Sequence, residues 1–446
     1  MVKIREENQV KYPYLEEPVK VYTLENGHTV ILAKKESGMV NISSWVKTGS
    51  INENSCNNGV SHFLEHLMFK GTTKYKAGEF DKILESKGGI INAATWKDYT
   101  FYYVTITKEH LNLAIKMHAD MMTDPTIPDD EIGPAFDING EPPEDKRERY
   151  VVIEEIKMRQ DQSWSKVYNK LNNAMYKEHP YKRDVIGTAE IISTIPRDSI
   201  MEYYETHYTP ENISTIVVGD FNEKDVLEKV SKEFTFKRAK KTENEIHKKE
   251  MRIEEPTYIE QASEVNTAYA MFGFLADSAK NLKESIALDL LSIILGDGKS
   301  SRLNIRFIEE AEKPHYYALD TAHYQFKDGE NFFVNANFEP SKKDDVLREI
   351  KEELSRLNEI SEEELKKAKK RTKAQFAQDA ETVSDIADSI GFYMTVCEDL
   401  NMINDYQRLL EEIDTRYLEE IAVKYLSPDL CSVSVLIPKT AHLEVN

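Results

Sequence analysis

The chain has 446 residues, and at roughly 100–200 residues per domain this length predicts two to four domains. Lys and Arg number 58 while Asp and Glu number 79, and the resulting net charge of −21 argues against nucleic-acid binding, which needs a basic surface. Hydrophobic residues make up 40% of the chain, which excludes a wholly disordered protein.

The cysteines and the N-terminal sequence bear on the compartment. Three widely spaced cysteines exclude a disulfide scaffold and are typical of a reducing environment. The sequence contains no recognisable signal peptide and no apolar stretch long enough to span a membrane. We therefore expect a cytoplasmic protein, or an organellar one if a presequence has been removed.

The first half of the chain alternates predicted strands and helices. Residues 21–34 are predicted to form a hairpin around Glu25-Asn26-Gly27, because Asn-Gly is a strong signal for a tight turn. Residues 123–147 are rich in Pro and Gly and are predicted to form a loop. The other elements of this half are predicted, in chain order, at 39–46 (strand), 59–69 (helix), 90–94 and 99–107 (strands), 108–122 (helix), 144–159 (helix), 165–176 (helix) and 213–218 (strand).

The second half repeats this order in outline, which predicts two related domains. Its elements are predicted at 261–274 (strand), 285–295 (helix), 331–338 (strand), 343–357 (helix), 362–393 (long helical region) and 431–437 (strand). The predicted class is α+β, with a mostly antiparallel sheet in each domain and helices on one face of each sheet. We expect the domains at 1–235 and 257–446, joined by a highly charged linker at 236–256.

One short motif, His62-Phe63-Leu64-Glu65-His66, carries the chemistry. On a helix, residues four apart share a face, so His62 and His66 can present two imidazoles to one metal ion, and imidazole pairs suit zinc. Glu65 lies beside them, where a carboxylate can move a proton from a water to a leaving amine. The alternative interpretation is two exposed histidines on an amphipathic helix, since only three residues of the motif are fixed.

A catalytic zinc needs a third protein ligand, and the predicted helix at 144–159 offers candidates. Glu148 and Glu155 are seven residues apart and therefore share a face, whereas Glu154 is rotated off that face by about 100°. One member of the pair could bind the metal while the other hydrogen-bonds a ligand histidine. The alternative is an ordinary solvated, charged helix face.

Longer segments extend this pattern into a resemblance that covers nearly the whole chain. They are HFLEHLMFKGT (62–72), GGIINAAT (88–95), ERYVVIEE (148–155), HPY (179–181) with IG (186–187), YTPEN (208–212) with VVGD (217–220), and LGDGKSSRL (295–303). The chain closely resembles the family of pitrilysin, insulysin and the mitochondrial processing peptidases, the inverzincins. A chain of 446 residues corresponds to a single half of the chamber that this family builds.

The resemblance implies a role for each residue of the candidate site. The family's zinc ligands correspond to His62, His66 and Glu155, which implies one zinc ion per chain. Its general base corresponds to Glu65, which activates a zinc-bound water. Its supporting glutamate corresponds to Glu148.

The resemblance also implies how substrate and partner bind. Residues Asn92, Ala93, Ala94 and Thr95 correspond to the sheet edge to which a substrate peptide adds as a strand. The family encloses peptides or unfolded segments in a chamber made of two halves, each shaped like half of a clamshell. We therefore expect a peptide substrate and a second, related chain.

The sequence departs from the family pattern in two places. Active members carry an Arg and a Tyr in the second domain, and the corresponding positions here are Ile308 and His315, with Arg306, Tyr316 and Tyr317 out of register. We read this pair as absent, so that a heterodimer could divide the work between this zinc-bearing chain and an Arg/Tyr-bearing subunit; a homodimer stays open. Residues 133–146 form an apparent acidic insertion before the second ligand helix.

The sequence thus predicts a zinc-dependent endopeptidase that forms the catalytic half of a dimeric chamber. A first alternative is a non-catalytic assembly subunit that resembles the core proteins of respiratory complexes. A second is a small-molecule lyase such as S-ribosylhomocysteinase, which also has an inverted metal motif, although the two-domain length does not fit it.

Overall fold

The computed structural model describes residues 3–141, 144, 147–236 and 246–439, in two compact units. The first unit comprises Met1–Lys157, Arg183–Ile246 and Phe376–Asn404, and the second comprises Met158–Lys182, His247–Gln375 and Asp405–Asn446. The sequence predicts that each domain is one continuous segment. In the structure, residues 158–182 belong to the second unit although they come from the first half of the chain, and residues 376–404 belong to the first unit although they come from the second half. We call these two stretches the exchanged segments. Residues 237–245 of the expected linker, and 142, 143, 145 and 146 of the expected insertion, lie outside the described residues.

The described strands are Ile4–Val10 (β1), Val19–Leu24 (β2), Thr29–Lys34 (β3), Met39–Val46 (β4), Ile90–Thr95 (β5), Thr100–Thr107 (β6), Ile213–Gly219 (β7), Tyr258–Ser263 (β8), Ala268–Ala276 (β9), Tyr316–Gln325 (β10), Glu330–Phe338 (β11) and Ser432–Pro438 (β12). The described helices are Val60–Met68 (α1), Glu79–Glu85 (α2), Leu111–Thr123 (α3), Asp129–Ile132 (α4), Glu148–Asp161 (α5), Ser163–Met175 (α6), Ala189–Ile192 (α7), Arg197–His207 (α8), Glu223–Glu233 (α9), Leu282–Leu295 (α10), Arg302–Asn304 (α11), Lys343–Ser355 (α12), Glu362–Gln378 (α13), Val383–Phe392 (α14), Met402–Glu412 (α15) and Thr415–Tyr425 (α16). Over the described part of the chain, no helix combines the length and apolar character needed to cross a membrane.

The two sheets share one topology. The first has the strand order β1-β2-β3-β7-β4-β6-β5 and the second has β10-β11-β9-β12-β8. If β3 to β7 are matched in chain order with β8 to β12, the five strands follow the same spatial order in both sheets. The pairs β3–β7 and β8–β12 are parallel, and the other pairs are antiparallel. This match confirms the predicted internal repeat and the α+β class with two mostly antiparallel sheets.

The first sheet carries helices on both faces. The Ser44 hydroxyl hydrogen-bonds the imidazole of His118 on α3, so this face of β4 packs against α3. Asn41, three positions earlier and therefore on the opposite face, donates to the hydroxyl of Ser384 on α14. The sequence predicts helices on only one face of each sheet. In the structure, the exchanged segment 376–404 covers the other face of the first sheet.

The second sheet repeats this arrangement. On one face, His323 of β10 lies opposite Phe332 of β11 and hydrogen-bonds Asp289 of α10. The next residue, Phe333, points to the other face and meets the ring of Tyr168 on α6 at 5.7 Å between centroids. Because α6 belongs to the exchanged segment 158–182, each unit receives one covering helix from a distant part of the chain.

Several predicted elements need correction. The single strand predicted at 261–274 is two strands, β8 and β9, because residues 264–267 lie outside the strand ladders. The long helical region at 362–393 contains two α-helices, α13 and α14, separated by a polar turn. The edge strand β10 has no counterpart among the predicted elements. The hairpin β2–β3 and helix α1 form where the sequence predicts them.

Candidate metal centre

Helix α1 presents the motif on the boundary between core and surface. Phe63, Leu64 and Leu67 are fully buried, and they fix which face of the helix points inward. His62 and His66 lie one turn apart, with 4.8 Å between their ring centroids. The helix therefore brings the two imidazoles together, as the spacing predicts.

The start of α1 is held by a buried carboxylate that sequence reasoning missed. Glu53 accepts hydrogen bonds at 2.8 Å from the backbone N–H groups of Gly59 and Ser61, and at 2.7 Å from the side chain of Asn58. These N–H groups have no partner within the helix, and the positive end of the helix dipole favours a negative charge there. No periodicity marks Glu53 in the sequence, where it stands between two asparagines in a polar loop.

Helix α5 brings the third candidate ligand to the imidazoles. One carboxylate oxygen of Glu155 lies 3.7 Å from Nε2 of His62 and 3.7 Å from Nε2 of His66. All three ligand atoms lie within 4.8 Å of one another, and no other such group of three occurs among the described residues. In a tetrahedral zinc site with bonds of about 2.0–2.1 Å, ligand atoms lie roughly 3.3–3.5 Å apart. The donor set and its spacing therefore fit one zinc ion.

Glu148 lies on the outer side of His66, where it orients the ring. The Nδ1–H group of His66 donates to Glu148 at 3.1 Å, so that in the neutral ring the lone pair is on Nε2, the nitrogen nearer Glu155. Lys70 forms an ion pair with the other oxygen of Glu148. Lys70 lies two residues beyond Met68, the last residue of α1, so helical spacing does not predict this contact.

The pKa values of this pair follow from its charges. Burial would lower the pKa of His66, but the hydrogen bond to Glu148 and the nearby Glu65 and Glu155 carboxylates raise it above its ordinary value. Burial would raise the pKa of Glu148, but His66 and Lys70 hold it below its ordinary value. The carboxylates therefore make this cluster favourable for a cation.

Glu65 lies beside the ligand histidines and contacts the neighbouring sheet. The hydroxyl of Thr95, the last residue of β5, donates to one Glu65 carboxylate oxygen at 2.5 Å. Tyr102 and Tyr208 hydrogen-bond each other at 2.8 Å nearby, and burial raises the pKa of both well above its ordinary value, so both stay neutral.

The predicted substrate-binding residues Asn92, Ala93, Ala94 and Thr95 all lie in β5. This strand is the last in its sheet, and among the described strands it pairs only with β6. Its outer edge thus offers backbone groups to an added strand, next to Glu65.

The positions that correspond to the family's Arg and Tyr lie in the second unit. Ile308 is in a π-helical turn, and His315 pairs with Glu349 at 3.1 Å. The nearby Arg306 and Tyr316 are also engaged by carboxylates of that unit: Arg306 contacts Glu353 at 2.7 Å, and Tyr316 donates to Glu349 at 2.7 Å.

Comparison with known families agrees with the fold. Two related α+β units, an inverted His-x-x-Glu-His helix and a glutamate from a second helix are typical of a class of zinc metallopeptidases. The chain matches the model of Insulinase (Peptidase family M16) over residues 29–189 and that of the Peptidase M16 inactive domain over residues 194–372. The chain belongs to peptidase family M16, which confirms the resemblance seen in the sequence.

Individual relatives are zinc proteases by name. The chain is 31% identical over 428 residues to "Zinc protease PqqE" of Helicobacter pylori, covering 93% of this chain and 91% of that protein. It is 29% identical over 217 residues to the probable mitochondrial-processing peptidase subunit beta of Arabidopsis thaliana, covering 48% of this chain and 38% of that protein. The crystal structure of a protease from Helicobacter pylori superposes with a TM-score of 0.85 at 27% identity, covering 98% of this chain and 100% of that one.

Proposed function

We propose that this chain is a zinc-dependent endopeptidase that cleaves peptides or unfolded segments. The observation that carries the proposal is the convergence of His62, His66 and Glu155 within 4.8 Å, with Glu65 next to His66 in the chain. The zinc proteases among its relatives support the same conclusion.

The chemistry follows from what each side chain can do. When bound, one zinc ion held by His62, His66 and Glu155 lowers the pKa of a water and polarises the scissile carbonyl. Glu65 accepts a proton of the attacking water as the C–O bond forms, and it then delivers that proton to the amide nitrogen, so that the C–N bond breaks and the amine leaves. A substrate strand added to Asn92–Thr95 of β5 brings its backbone alongside this base.

We further propose that a second chain completes the site. Ile308 and His315 occupy the positions of the family's Arg and Tyr. Arg306 and Tyr316 are already engaged by Glu353 and Glu349, which argues against their replacing that pair. A heterodimer with an Arg/Tyr-bearing subunit accounts for both observations, and a homodimer is the alternative arrangement.

The first test compares the chain with its Glu65→Gln variant on a pool of unstructured peptides, read by mass spectrometry. We expect cleavage by the unaltered chain, equal zinc content in both proteins, and a loss of about 10²–10⁴-fold in the variant, which is the range for a general base. A folded chain that binds zinc but cleaves only after a related subunit is added would support the heterodimer. A folded chain with neither zinc nor cleavage would favour the alternative function, a non-catalytic assembly subunit.

A second pair of variants tests the ligand assignment. Glu155→Gln should lose stoichiometric zinc, because an amide is a much poorer zinc ligand than a carboxylate. Glu154→Gln is the matched control, since the neighbouring Glu154 forms an exposed pair with Lys157. Zinc content by atomic emission decides the outcome, and equal zinc in both variants would contradict the assignment of Glu155.

A further inference from the structure

The hydrogen bond between Thr95 and Glu65 links β5, which we propose binds the substrate strand, to α1, which carries the proposed general base. Thr95 ends β5, the strand at the edge of the first sheet, while Glu65 lies on α1 directly before His66 in the chain. The Thr95 hydroxyl donates to Oε2 of Glu65 at 2.5 Å. An ionised carboxylate can only accept, so the hydroxyl proton is directed at Glu65.

Thr95 is held in place by the turn that follows it. The backbone N–H of Trp96 donates to Tyr99 at 2.8 Å and closes the β5–β6 hairpin. Thr95 itself lies opposite Thr100 in the ladder. Because threonine is branched at Cβ, its χ1 angle is restricted, and a fixed backbone therefore fixes the direction of the hydroxyl.

The segment 49–53 braces both partners of this hydrogen bond. Its N–H groups at Ser50 and Ile51 donate to the carbonyls of Trp96 and Lys97, at 3.2 and 2.9 Å. A few residues later, the carboxylate of Glu53 holds the N-terminus of α1.

Gly49 allows this close approach of the two backbones. A Cβ at this position would lie 2.2 Å from the carbonyl oxygen of Trp96. One short segment therefore sets the position of the Thr95 turn and of the helix that carries Glu65.

We propose that Thr95 is a positioning residue for the general base. Its hydroxyl hydrogen-bonds one carboxylate oxygen of Glu65 and so fixes the orientation of the carboxylate that accepts the water proton; the threonine proton stays on threonine throughout. This inference rests on the proposed function and deepens it, since the strand that receives the substrate backbone also orients the base. Preorganised groups of this kind contribute through geometry, and a displacement of about 1 Å can cost 10²-fold in rate.

The test uses three variants of the full chain. Thr95→Val keeps the shape and removes the hydroxyl, while Thr95→Ser keeps the hydroxyl. Thr107→Val is the matched control, because Thr107 also hydrogen-bonds a carboxylate, that of Glu109, at the far end of the β6 strand.

We expect Thr95→Val to lower kcat by about 10–100-fold with KM within about twofold and with unchanged zinc content. Thr95→Ser should stay within about threefold of the unaltered kcat, and Thr107→Val should change neither constant. An unchanged kcat in Thr95→Val would overturn the proposal. So would a rise in KM alone in both Thr95 variants, because that pattern marks a role in substrate binding only.

A structural readout separates this inference from the proposed function. In crystal structures of the zinc-loaded proteins, the Glu65 carboxylate should accept from Thr95 in the unaltered chain and turn away or become disordered in Thr95→Val. An unmoved Glu65 carboxylate in the variant would refute the positioning role, even if the unaltered chain cleaves peptides. Absence of Glu65-dependent cleavage with or without a partner would instead refute the proposed function.

Discussion

At the scale of single residues, two glycines determine where helix α1, which carries His62 and His66, begins. Gly59 has φ of +95° and Gly187 has φ of +78°, a region that side-chain-bearing residues rarely adopt. The two also touch: a Cβ on Gly59 would lie 2.7 Å from the carbonyl oxygen of Ile186, and one on Gly187 would lie 2.4 Å from that of Asn58. The loop after α6 therefore packs directly against the start of α1. A side chain on either glycine would push the loop and the helix apart.

A set of three glycine-to-alanine variants separates backbone strain from contact. Gly59→Ala places a side chain at a positive φ and also too close to the Ile186 carbonyl oxygen, so we expect a loss of about 2–4 kcal/mol in the free energy of unfolding. Gly78→Ala, at φ of +74° with open space around it, should lose only about 1 kcal/mol. Gly38→Ala, with neither problem, should stay within about 0.5 kcal/mol. Denaturant titration measures all three, and equal losses at Gly59 and Gly78 would mean that the contact with Ile186 is not destabilising.

At the scale of elements, the helix caps show which contacts can be predicted from neighbouring residues and which cannot. The Asn222 side chain caps α9 from the position just before it, an arrangement that a local pattern can indicate. The cap of α1 comes from Glu53, six residues before Gly59, and only the folded loop brings it to the helix. The pairing of His62 with His66 could be predicted because their spacing is local, and the family resemblance pointed to Glu155 as the third candidate ligand. The Glu53 cap and the Thr95 contact with Glu65 depend on tertiary structure.

The Glu53 cap has a measurable consequence. Glu53→Ala leaves buried N–H groups at the start of α1 without their acceptor, and we expect a loss of about 1–3 kcal/mol in stability together with weaker zinc binding. Glu79→Ala is the control, because Glu79 accepts an exposed hydrogen bond from Lys76 near the start of α2. Thermal unfolding with and without zinc compares them. A Glu53→Ala protein as stable as Glu79→Ala would contradict the importance of the cap.

Strands and helices with clear periodicity were also predictable, while their partners were not. The alternating burial along β6 and the apolar face of α1 are properties of short segments. That α6 covers the second sheet and α14 covers the first is a property of the whole chain. An amphipathic pattern indicates that a helix buries one face, but it carries no information about which sheet receives that face.

At the scale of the whole molecule, a buried charged cluster ties stability to pH. In the second unit, His323 lies between two carboxylates, with Nδ1 at 2.7 Å from Asp289 and Nε2 at 3.1 Å from Glu330. Tyr406 donates to the other oxygen of Asp289 at 2.9 Å. Burial would lower the pKa of His323, but the flanking carboxylates raise it to about 10, so the ring is protonated at neutral pH.

This cluster predicts a loss of stability at alkaline pH. Because the pKa is raised from 6.5 to about 10 on folding, the stabilisation is complete below pH 6.5 and is lost as pH rises toward about 10. His323→Gln leaves the buried Glu330 and the partly buried Asp289 without their cation and should cost about 3–5 kcal/mol at neutral pH.

Melting temperatures between pH 6 and pH 10 provide the measurement. The control is His315→Gln, at a partly exposed histidine paired with Glu349. If His323→Gln and the unaltered chain lose stability in parallel over this range, His323 is not the group responsible.

The exchange of helical segments also determines when each unit can complete its fold during synthesis. Both helices that carry the candidate metal ligands, α1 and α5, have been synthesised once residue 161 is added. In contrast, α14, which covers one face of the first sheet, spans Val383–Phe392. During synthesis the first unit therefore lacks α14, and the face of β4 that carries Asn41 stays uncovered until most of the second unit has been made. We expect the two units to mature late and together. A break at 236–256 would yield fragments that regain structure only when mixed, because each carries the helix that the other lacks.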